Sequence, residues 1–181
     1  MFDVISLMLR TGVLTEPLPA RSAAAPALET VQDDIRRILG RALCIRHVDA
    51  GSCNGCELEL QALNNPYYNL EGVGIKFVAS PRHADLLLVT GPVSVNMQEA
   101  LKRTYDAIPD PKLVIAVGDC GACGGLFGKS YATLGSVAEV IPVHRTIHGC
   151  PPEPAVILAG ILDTVLAQQA PGSRNISALH R

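Results

Sequence analysis

The sequence predicts a doubly wound α/β fold around a mostly parallel β-sheet, and three observations predict it. Short apolar segments typical of buried strands alternate along the chain with segments of helical periodicity. The chain has 16 glycines and 13 prolines, many of which separate these segments as tight turns do. Apolar residues make up 48% of the 181 residues, which is enough for one hydrophobic core although the chain has no tryptophan.

The first elements of this fold follow from local pattern. A strand is predicted over 43–48, followed by a turn over 49–52 and a short helix over 57–63. Two further strands are predicted over 74–79 and 85–90. The second of these, DLLLVT, is nearly all apolar, which indicates a central strand because helices cover both faces of a parallel sheet.

The remaining elements continue the alternation. Ser94 is a candidate N-cap for a helix whose apolar residues recur at helical spacing over 97–108. A strand over 112–117 ends in the glycine-rich loop GDCGACGG, a short strand is predicted near 139–142, and a last helix covers 155–167. Strands and helices in this order favour a flavodoxin-like sheet, whose ligand site lies beyond the carboxyl ends of the strands.

The α/β domain, over 41–170, is flanked by other segments. Before it we predict an amphipathic N-terminal helix (1–14) and a linker (15–40) with a short helix over 31–39; after it comes a polar tail (171–181). In the first segment the few polar residues share one narrow helix face, and ten residues rise only ~15 Å as a helix. This length is too short for the ~30 Å core of a bilayer, so we expect the helix to dock on a membrane subunit or on the bilayer surface.

Charge and composition exclude several classes of function. The formal net charge is −2 and no run of lysine and arginine exceeds two residues, so the chain lacks the basic surface that nucleic-acid binding requires. The N-terminus shows neither a basic segment ahead of an apolar one nor a twin-arginine pair, so we expect the protein to stay in the cytoplasm. In that reducing compartment, six cysteines indicate metal or redox chemistry rather than disulfides.

Five of the six cysteines lie in loops that follow predicted strands. Cys53 and Cys56 come after the first strand, Cys120 and Cys123 come after a later one, and Cys150 lies in a Cys-Pro-Pro turn. A CxxC pair on a tight turn places two thiolates within reach of one metal centre. A cubane iron–sulfur cluster takes four thiolates, often with proline after the last. Neighbouring glycines let the backbone approach such a cluster and point N–H groups at its sulfides.

Spacing alone leaves other interpretations of the cysteines open. Zinc bound by Cys53, Cys56, Cys120 and Cys123 has suitable ligands, although the long segment between the two pairs holds strands and a helix rather than a compact ribbon. A thioredoxin-like dithiol at the first pair lacks the expected fold order and leaves the other loop cysteines unexplained. Cys44, inside the first strand, is best explained as a small buried apolar residue.

Four stretches of the sequence resemble a known family. SCNGCELEL, AVGDCGACGG and GCPPEP are similar to the blocks that ligate the proximal cluster in [NiFe]-hydrogenase small subunits and in their relative, the cluster-N2 subunit of complex I. SPRHADLLLVTGPVSVNM, at 80–97, adds a fourth stretch, and the resemblance covers 43–166. The Cys-Asn-Gly-Cys block resembles hydrogenases in particular, because complex I subunits have two adjacent cysteines there.

The resemblance implies one 4Fe–4S cluster and places Cys123 where the family has no ligand. The four implied ligands are Cys53, Cys56, Cys120 and Cys150. A chain without a leader, with no cysteine after the fourth ligand and with the opening MFDVISLMLRTGVLTEPLP, resembles the small subunits of membrane-bound, energy-converting hydrogenases of the formate hydrogenlyase and CO-linked types. At Ser52 it departs from uptake enzymes, which often have glutamate there, so no proton-relay role transfers to that position.

The implied function is electron transfer within an oxidoreductase. A nickel–iron site needs four further cysteines, so it belongs to a large partner subunit. This chain would pass single electrons between that subunit and a ferredoxin-like iron–sulfur subunit, at the cytoplasmic side of the cell membrane, with its N-terminal helix on an integral membrane subunit that couples the reaction to ion movement. The alternative within the family is a cluster-N2-type subunit of a complex I-like quinone oxidoreductase. From another class, the alternative is a non-redox binding or scaffold domain with structural zinc.

Several polar residues near the cysteines are candidates for supporting roles. Glu57 and Glu59 are first-turn acids that a helix dipole favours, and Glu59 matches an acid of the family at a partner contact or proton path. His47 and His148 are candidates for hydrogen bonds near the cluster, although a core histidine and a solvated loop histidine are the simpler interpretations. Asp119 is most simply a backbone-capping acid.

Overall fold

The computed structural model describes residues 39–167 and, ahead of them, residues 6, 10, 33 and 35–37. Within this part, strands alternate with helices. In chain order they are β1 (Leu43–Asp49), α1 (Gly55–Ala62), β2 (Ile75–Phe77), β3 (Leu86–Thr90), α2 (Gln98–Ala107), β4 (Leu113–Val117), α3 (Gly118–Cys123), β5 (Arg145–Ile147) and α4 (Pro154–Ala167). Short 3-10 turns lie at Pro81–His83 and Val137–Glu139.

The five strands form one parallel sheet in the order β2-β1-β3-β4-β5. This order is the flavodoxin-like one, so the predicted doubly wound fold is confirmed. β3 is central and every one of its residues is buried, as its apolar sequence predicted. In parallel strands the carboxyl ends meet at one edge of the sheet, and the loops that carry the cysteines all leave from that edge.

Helices cover both faces of the sheet. On one face, Leu60 of α1 and Ile157 and Ile161 of α4 are buried in a shared apolar cluster with the sheet. On the other face, Leu101 of α2 is buried in a second cluster together with Val137 from a 3-10 turn. Each such side chain stabilises the fold by roughly 1.5–3 kcal/mol when it is fully buried. The helices therefore pack on the two faces of the sheet, while loops form its carboxyl edge.

The prediction of a short strand near 139–142 was wrong. Val137–Glu139 forms a 3-10 turn instead, and the edge strand β5 follows at Arg145–Ile147. The apolar residues that suggested a strand are accounted for by packing, because Ile141 is buried against the α2 face of the sheet without joining it. A short apolar run can pack as a loop, and its sequence does not distinguish the two outcomes.

The segment predicted as a glycine-rich loop contains the six-residue helix α3. Gly118 opens it with φ +82° and Gly124 closes it with φ +89°. Both values lie in the left-handed region that glycine adopts easily, so the glycines mark the two ends of a helix. The predicted N-cap Ser94 lies further from the helix than expected, because Met97 is the residue that precedes α2. The Ser94 hydroxyl accepts the Met97 N–H in the turn ahead of the helix.

The predicted N-terminal helix over 1–14 lies outside the described residues except at Ser6 and Arg10, which are helical and exposed. Most of the linker and the tail beyond 167 also lie outside them, so the division of the chain into segments stays a prediction. Of the short helix over 31–39, the described residues are helical, and its end agrees with the prediction, because the Gly40 N–H donates to the Arg36 carbonyl. Searched over the described residues, no helix combines the length and apolarity that a bilayer crossing needs.

Candidate metal centre

The first cysteine pair lies in a turn that Asp49 forms at the end of β1. The Asp49 carboxylate accepts the backbone N–H groups of Gly51 and Ser52 at 2.8 and 2.7 Å. The chain then reverses through Asn54, whose φ of +72° is left-handed, into α1. This path leaves Cys53 exposed in the turn and Cys56 buried in the first turn of the helix.

The second pair lies on α3, directly after β4. Cys120 is half-buried and Cys123 is exposed. The Cys123 thiol lies 3.2 Å from the carbonyl oxygen of Asp119 and donates to it, which is a bond within its own helix. The two cysteines of this motif therefore have different surroundings.

Asp119 joins the second pair to the turn that carries Cys150. Its backbone N–H donates to the Gly149 carbonyl at 2.9 Å, and its carboxylate accepts the Gly149 N–H at 3.0 Å. The same carboxylate oxygen is 3.3 Å from Nδ1 of His148. The prediction that Asp119 caps backbone groups is confirmed, and the contacts span about thirty residues of sequence. They hold α3 against the Cys150 turn.

The thiols at this edge of the sheet influence one another electrostatically. Burial first, then the Glu57 carboxylate and then the thiols of the other three cysteines raise the pKa of Cys56 to about 12. Burial likewise raises the pKa of Cys120, followed by the influence of Cys150, Cys53, Asp119 and Cys123. Burial and the neighbouring groups thus disfavour ionisation of Cys56 and Cys120, and a bound metal centre would displace their protons.

Glycines leave room around these sulfur atoms. A Cβ atom on Gly118 would lie 2.7 Å from Sγ of Cys56, and one on Gly125 would lie 2.7 Å from Sγ of Cys120. Both separations are well inside van der Waals contact, so any side chain there would displace the thiol. The space next to the two most enclosed thiols exists only because glycine borders it.

Cysteine thiolates are the ligands that hold iron–sulfur clusters, so the chemistry of the donor set fits such a cluster. Over the described residues, no three His, Cys, Asp or Glu side chains are close enough together to hold one metal ion. A cubane presents four irons at separate corners, so its thiolates stand further apart than the ligands of one tetrahedral ion. Cys53, Cys56, Cys120 and Cys150 would supply the four sulfur atoms that a cubane takes.

Glu57 is the residue whose environment sequence reasoning missed. It was expected to be an ordinary first-turn acid, yet only 8% of it is exposed. The Ser52 hydroxyl donates to its Oε2 at 2.6 Å, while Oε1 is sealed from water and has no hydrogen-bond partner among the described residues. The signal available in sequence was its position next to Cys56, which turns inward on the same helix.

The remaining candidates are His47, His148, Glu59 and Cys44. Nε2 of His47 is hydrogen-bonded to the Thr90 hydroxyl at 2.9 Å and lies 3.8 Å from Oε1 of Glu57. Burial lowers the pKa of His47. His148 is exposed and Glu59 is half-buried. The prediction that Cys44 is a buried apolar residue is confirmed, since 7% of it is exposed.

Comparisons with known proteins agree with this architecture. The family model described as "NADH ubiquinone oxidoreductase, 20 Kd subunit" matches residues 53–164. The chain is 46% identical over 126 residues to the probable membrane-bound hydrogenase subunit mbhJ of Pyrococcus furiosus, covering 70% of this chain and 75% of that protein. It is 36% identical over 161 residues to formate hydrogenlyase subunit 7 of Escherichia coli, covering 86% of this chain and 63% of that protein.

A solved structure shows the same similarity in three dimensions. A chain of the membrane-bound sulfane sulfur reductase, an archaeal respiratory membrane complex, superposes with a TM-score of 0.62 at 31% identity, covering 77% of this chain and 78% of that one. By their names, the Pyrococcus furiosus protein and this solved chain belong to membrane-bound redox assemblies.

Proposed function

The chain belongs to the family of the 20 kDa subunit of NADH ubiquinone oxidoreductase, whose relatives include hydrogenase subunits, and from this we propose that it carries electrons in a membrane-associated [NiFe]-hydrogenase. Like those relatives, it is a subunit of an oxidoreductase. The observation that supports the finer proposal most directly is the convergence of four thiols at the carboxyl edge of the sheet, with glycine-bordered space beside two of them.

The ligands of the proposed 4Fe–4S cluster are Cys53, Cys56, Cys120 and Cys150. When bound, such a cluster takes up and releases one electron at a time. The chain's own contribution is to hold four thiolates from three loops at fixed separation. Cys56 is buried and Cys120 is half-buried, and Asp119 keeps the segments that carry Cys120 and Cys150 together.

The nickel–iron site lies in a large partner subunit under this proposal. Beyond the four ligands the chain has only Cys44, which is buried in β1, and Cys123, so it lacks the four further cysteines that nickel needs. The cluster would stand between that partner and a ferredoxin-like subunit, for H₂ evolution or oxidation coupled to ion translocation. We propose that residues 1–14 attach the chain to an integral membrane subunit on the cytoplasmic side.

A complex I-like quinone oxidoreductase is the second candidate, and the description of the matching family favours it. The Cys-Asn-Gly-Cys block supports the hydrogenase instead, because the resemblance gives complex I subunits adjacent cysteines at this place.

Anaerobic purification of the complex through a tag on this chain tests the proposal. We expect about four irons bound to this chain, as one cubane requires, and nickel in a co-purifying large subunit. A complex without nickel that reduces a quinone would favour the second candidate. Zinc in place of iron would overturn both.

Attachment is tested separately by deleting residues 2–14. The truncated complex should keep its iron and move to the soluble fraction. Continued membrane association would contradict the proposed role of this segment.

A further inference from the structure

Glu57 places a buried carboxylate directly beside one of the proposed cluster ligands. Resting on the proposed function, we infer that this negative charge lowers the reduction potential of the cluster. The role of Glu57 is therefore to set that potential. A cluster gains one negative charge when it is reduced. A fixed charge of the same sign nearby therefore favours the oxidised state.

The strength of this effect depends on how well the charge is screened. Glu57 is 92% buried, since its exposed fraction is 8%, and its Oε1 is sealed from water although a cavity of about 460 Å³ opens beside the side chain. A charge removed from solvent is screened little by salt and acts through a lower effective dielectric than a surface charge does. Its influence on a neighbouring metal centre is correspondingly large.

Compensation of the carboxylate is incomplete. Oε2 accepts the Ser52 hydroxyl, while Oε1 accepts no hydrogen bond from the described residues. The nearest ring, His47, is engaged with the Thr90 hydroxyl, and burial lowers its pKa, so at neutral pH the imidazole is neutral and contributes no positive charge. Arg46 also lines the cavity, but no ion pair joins it to Glu57 in the described part of the chain.

The position of Glu57 directs its charge at the cysteine turn. It follows Cys56 in the first turn of α1, and its carboxylate accepts a hydrogen bond from Ser52, the residue ahead of Cys53. The Ser52 hydroxyl in turn accepts the Asn54 N–H at 3.1 Å, inside the CxxC turn itself. The carboxylate is therefore connected to both ends of the motif that supplies two of the four ligands.

The experiment is a redox titration of the cluster, followed by its paramagnetic signal, in the full-length chain within its purified complex. Glu57→Gln removes the charge but keeps the size and an oxygen that accepts the Ser52 hydroxyl. Glu71→Gln is the matched control, because it makes the same formal change at an exposed position ahead of β2, at the amino edge of the sheet.

We expect Glu57→Gln to raise the equilibrium constant for reduction about tenfold, which is ~59 mV for one electron. The control should shift much less, and raising the salt concentration should leave the difference between the two variants in place. Equal shifts in both variants, no shift in Glu57→Gln, or a shift that high salt abolishes would overturn the inference.

Ser52→Ala decides the question if Glu57→Gln does not retain a cluster. This variant keeps the charge and removes its hydroxyl donor, so the potential should fall below that of the wild type. A rise or an unchanged potential would overturn the inference. A wild-type complex that contains no cluster would instead overturn the proposed function, which is a different result from a cluster whose potential ignores Glu57.

Discussion

The motifs Cys53–Cys56 and Cys120–Cys123 have the same spacing but are built differently. In the first, the chain makes a turn and α1 begins at Gly55, so the second cysteine is carried inward and buried. In the second, both cysteines lie on α3, and the second one is exposed and bonded to its own helix. Equal spacing thus gives the second cysteine a buried position in one motif and an exposed position in the other.

The two motifs also differ in what holds them. Asp49 stabilises the first through bonds to backbone groups two and three residues away. Asp119 stabilises the second through bonds to Gly149 and His148, thirty and 29 residues away. The first motif is a local turn, while the second depends on contact between two loops. The difference indicates that the site forms only when β4 and β5 are paired in the sheet.

The largest expected effect separates the two cysteines of the second motif. Cys120→Ala should abolish the cluster, because it removes one of the four proposed ligands, whereas Cys123→Ala should retain it. Iron content and the paramagnetic signal of the reduced cluster measure the outcome. If both variants keep the cluster, or both lose it, the assignment of Cys120 rather than Cys123 is wrong.

Thiol labelling of the cluster-free chain compares the motifs next. At pH 8, Cys123 should react with iodoacetamide about a hundredfold faster than Cys56, because Cys56 is buried and its pKa is raised to about 12, so few thiolates form. Because that pKa lies above the pH range of the experiment, the labelling rate of Cys56 should rise about tenfold for each pH unit between 8 and 10. Mass spectrometry of each site gives the rates. A Cys56 rate that matches Cys123 or stays flat with pH would contradict the buried placement.

Two glycines test the space around Cys120. Gly125 and Gly128 have almost the same φ, +54° and +53°, but a Cβ atom would clash with Cys120 only at Gly125, and at Gly128 nothing lies within 4 Å. Alanine at either position costs ~1–2 kcal/mol in the left-handed region. Gly125→Ala should lower the free energy of unfolding by a further ~1–3 kcal/mol from overpacking and should reduce iron content. Denaturant unfolding measures the first effect, and equal losses in the two variants would show that the clash is relieved.

The smallest expected effect concerns the two aspartates. Asp49→Ala and Asp119→Ala should each lower the free energy of unfolding by ~1–3 kcal/mol, because each removes hydrogen bonds to a carboxylate. In the cluster-free chain, Asp119→Ala should raise the labelling rates of both Cys120 and Cys150, while Asp49→Ala should raise only that of Cys53. Identical labelling changes in the two variants would mean that Asp119 does not join two loops.

Much of the fold could be predicted from the sequence because its signals are local. The apolar run of β3, the helical spacing of α2 and the breaks at glycine and proline each lie within a few residues, and the predicted elements agree with the structure there. The prediction of a strand near 139–142 was wrong, because Ile141 is buried by packing on the α2 face of the sheet rather than by strand pairing. Local pattern records that a residue is apolar but not which surface buries it.

What the sequence by itself determined is the kind of site: cysteines in loops after strands, glycines among them and a resemblance carried by three blocks. Only the tertiary structure decided which thiols are buried, that Asp119 reaches the Cys150 turn and that Glu57 is buried next to Cys56. The reason is that these features depend on loops from separate strands meeting at one edge. Burial and electrostatic coupling arise from that meeting, so no single segment of the chain contains them.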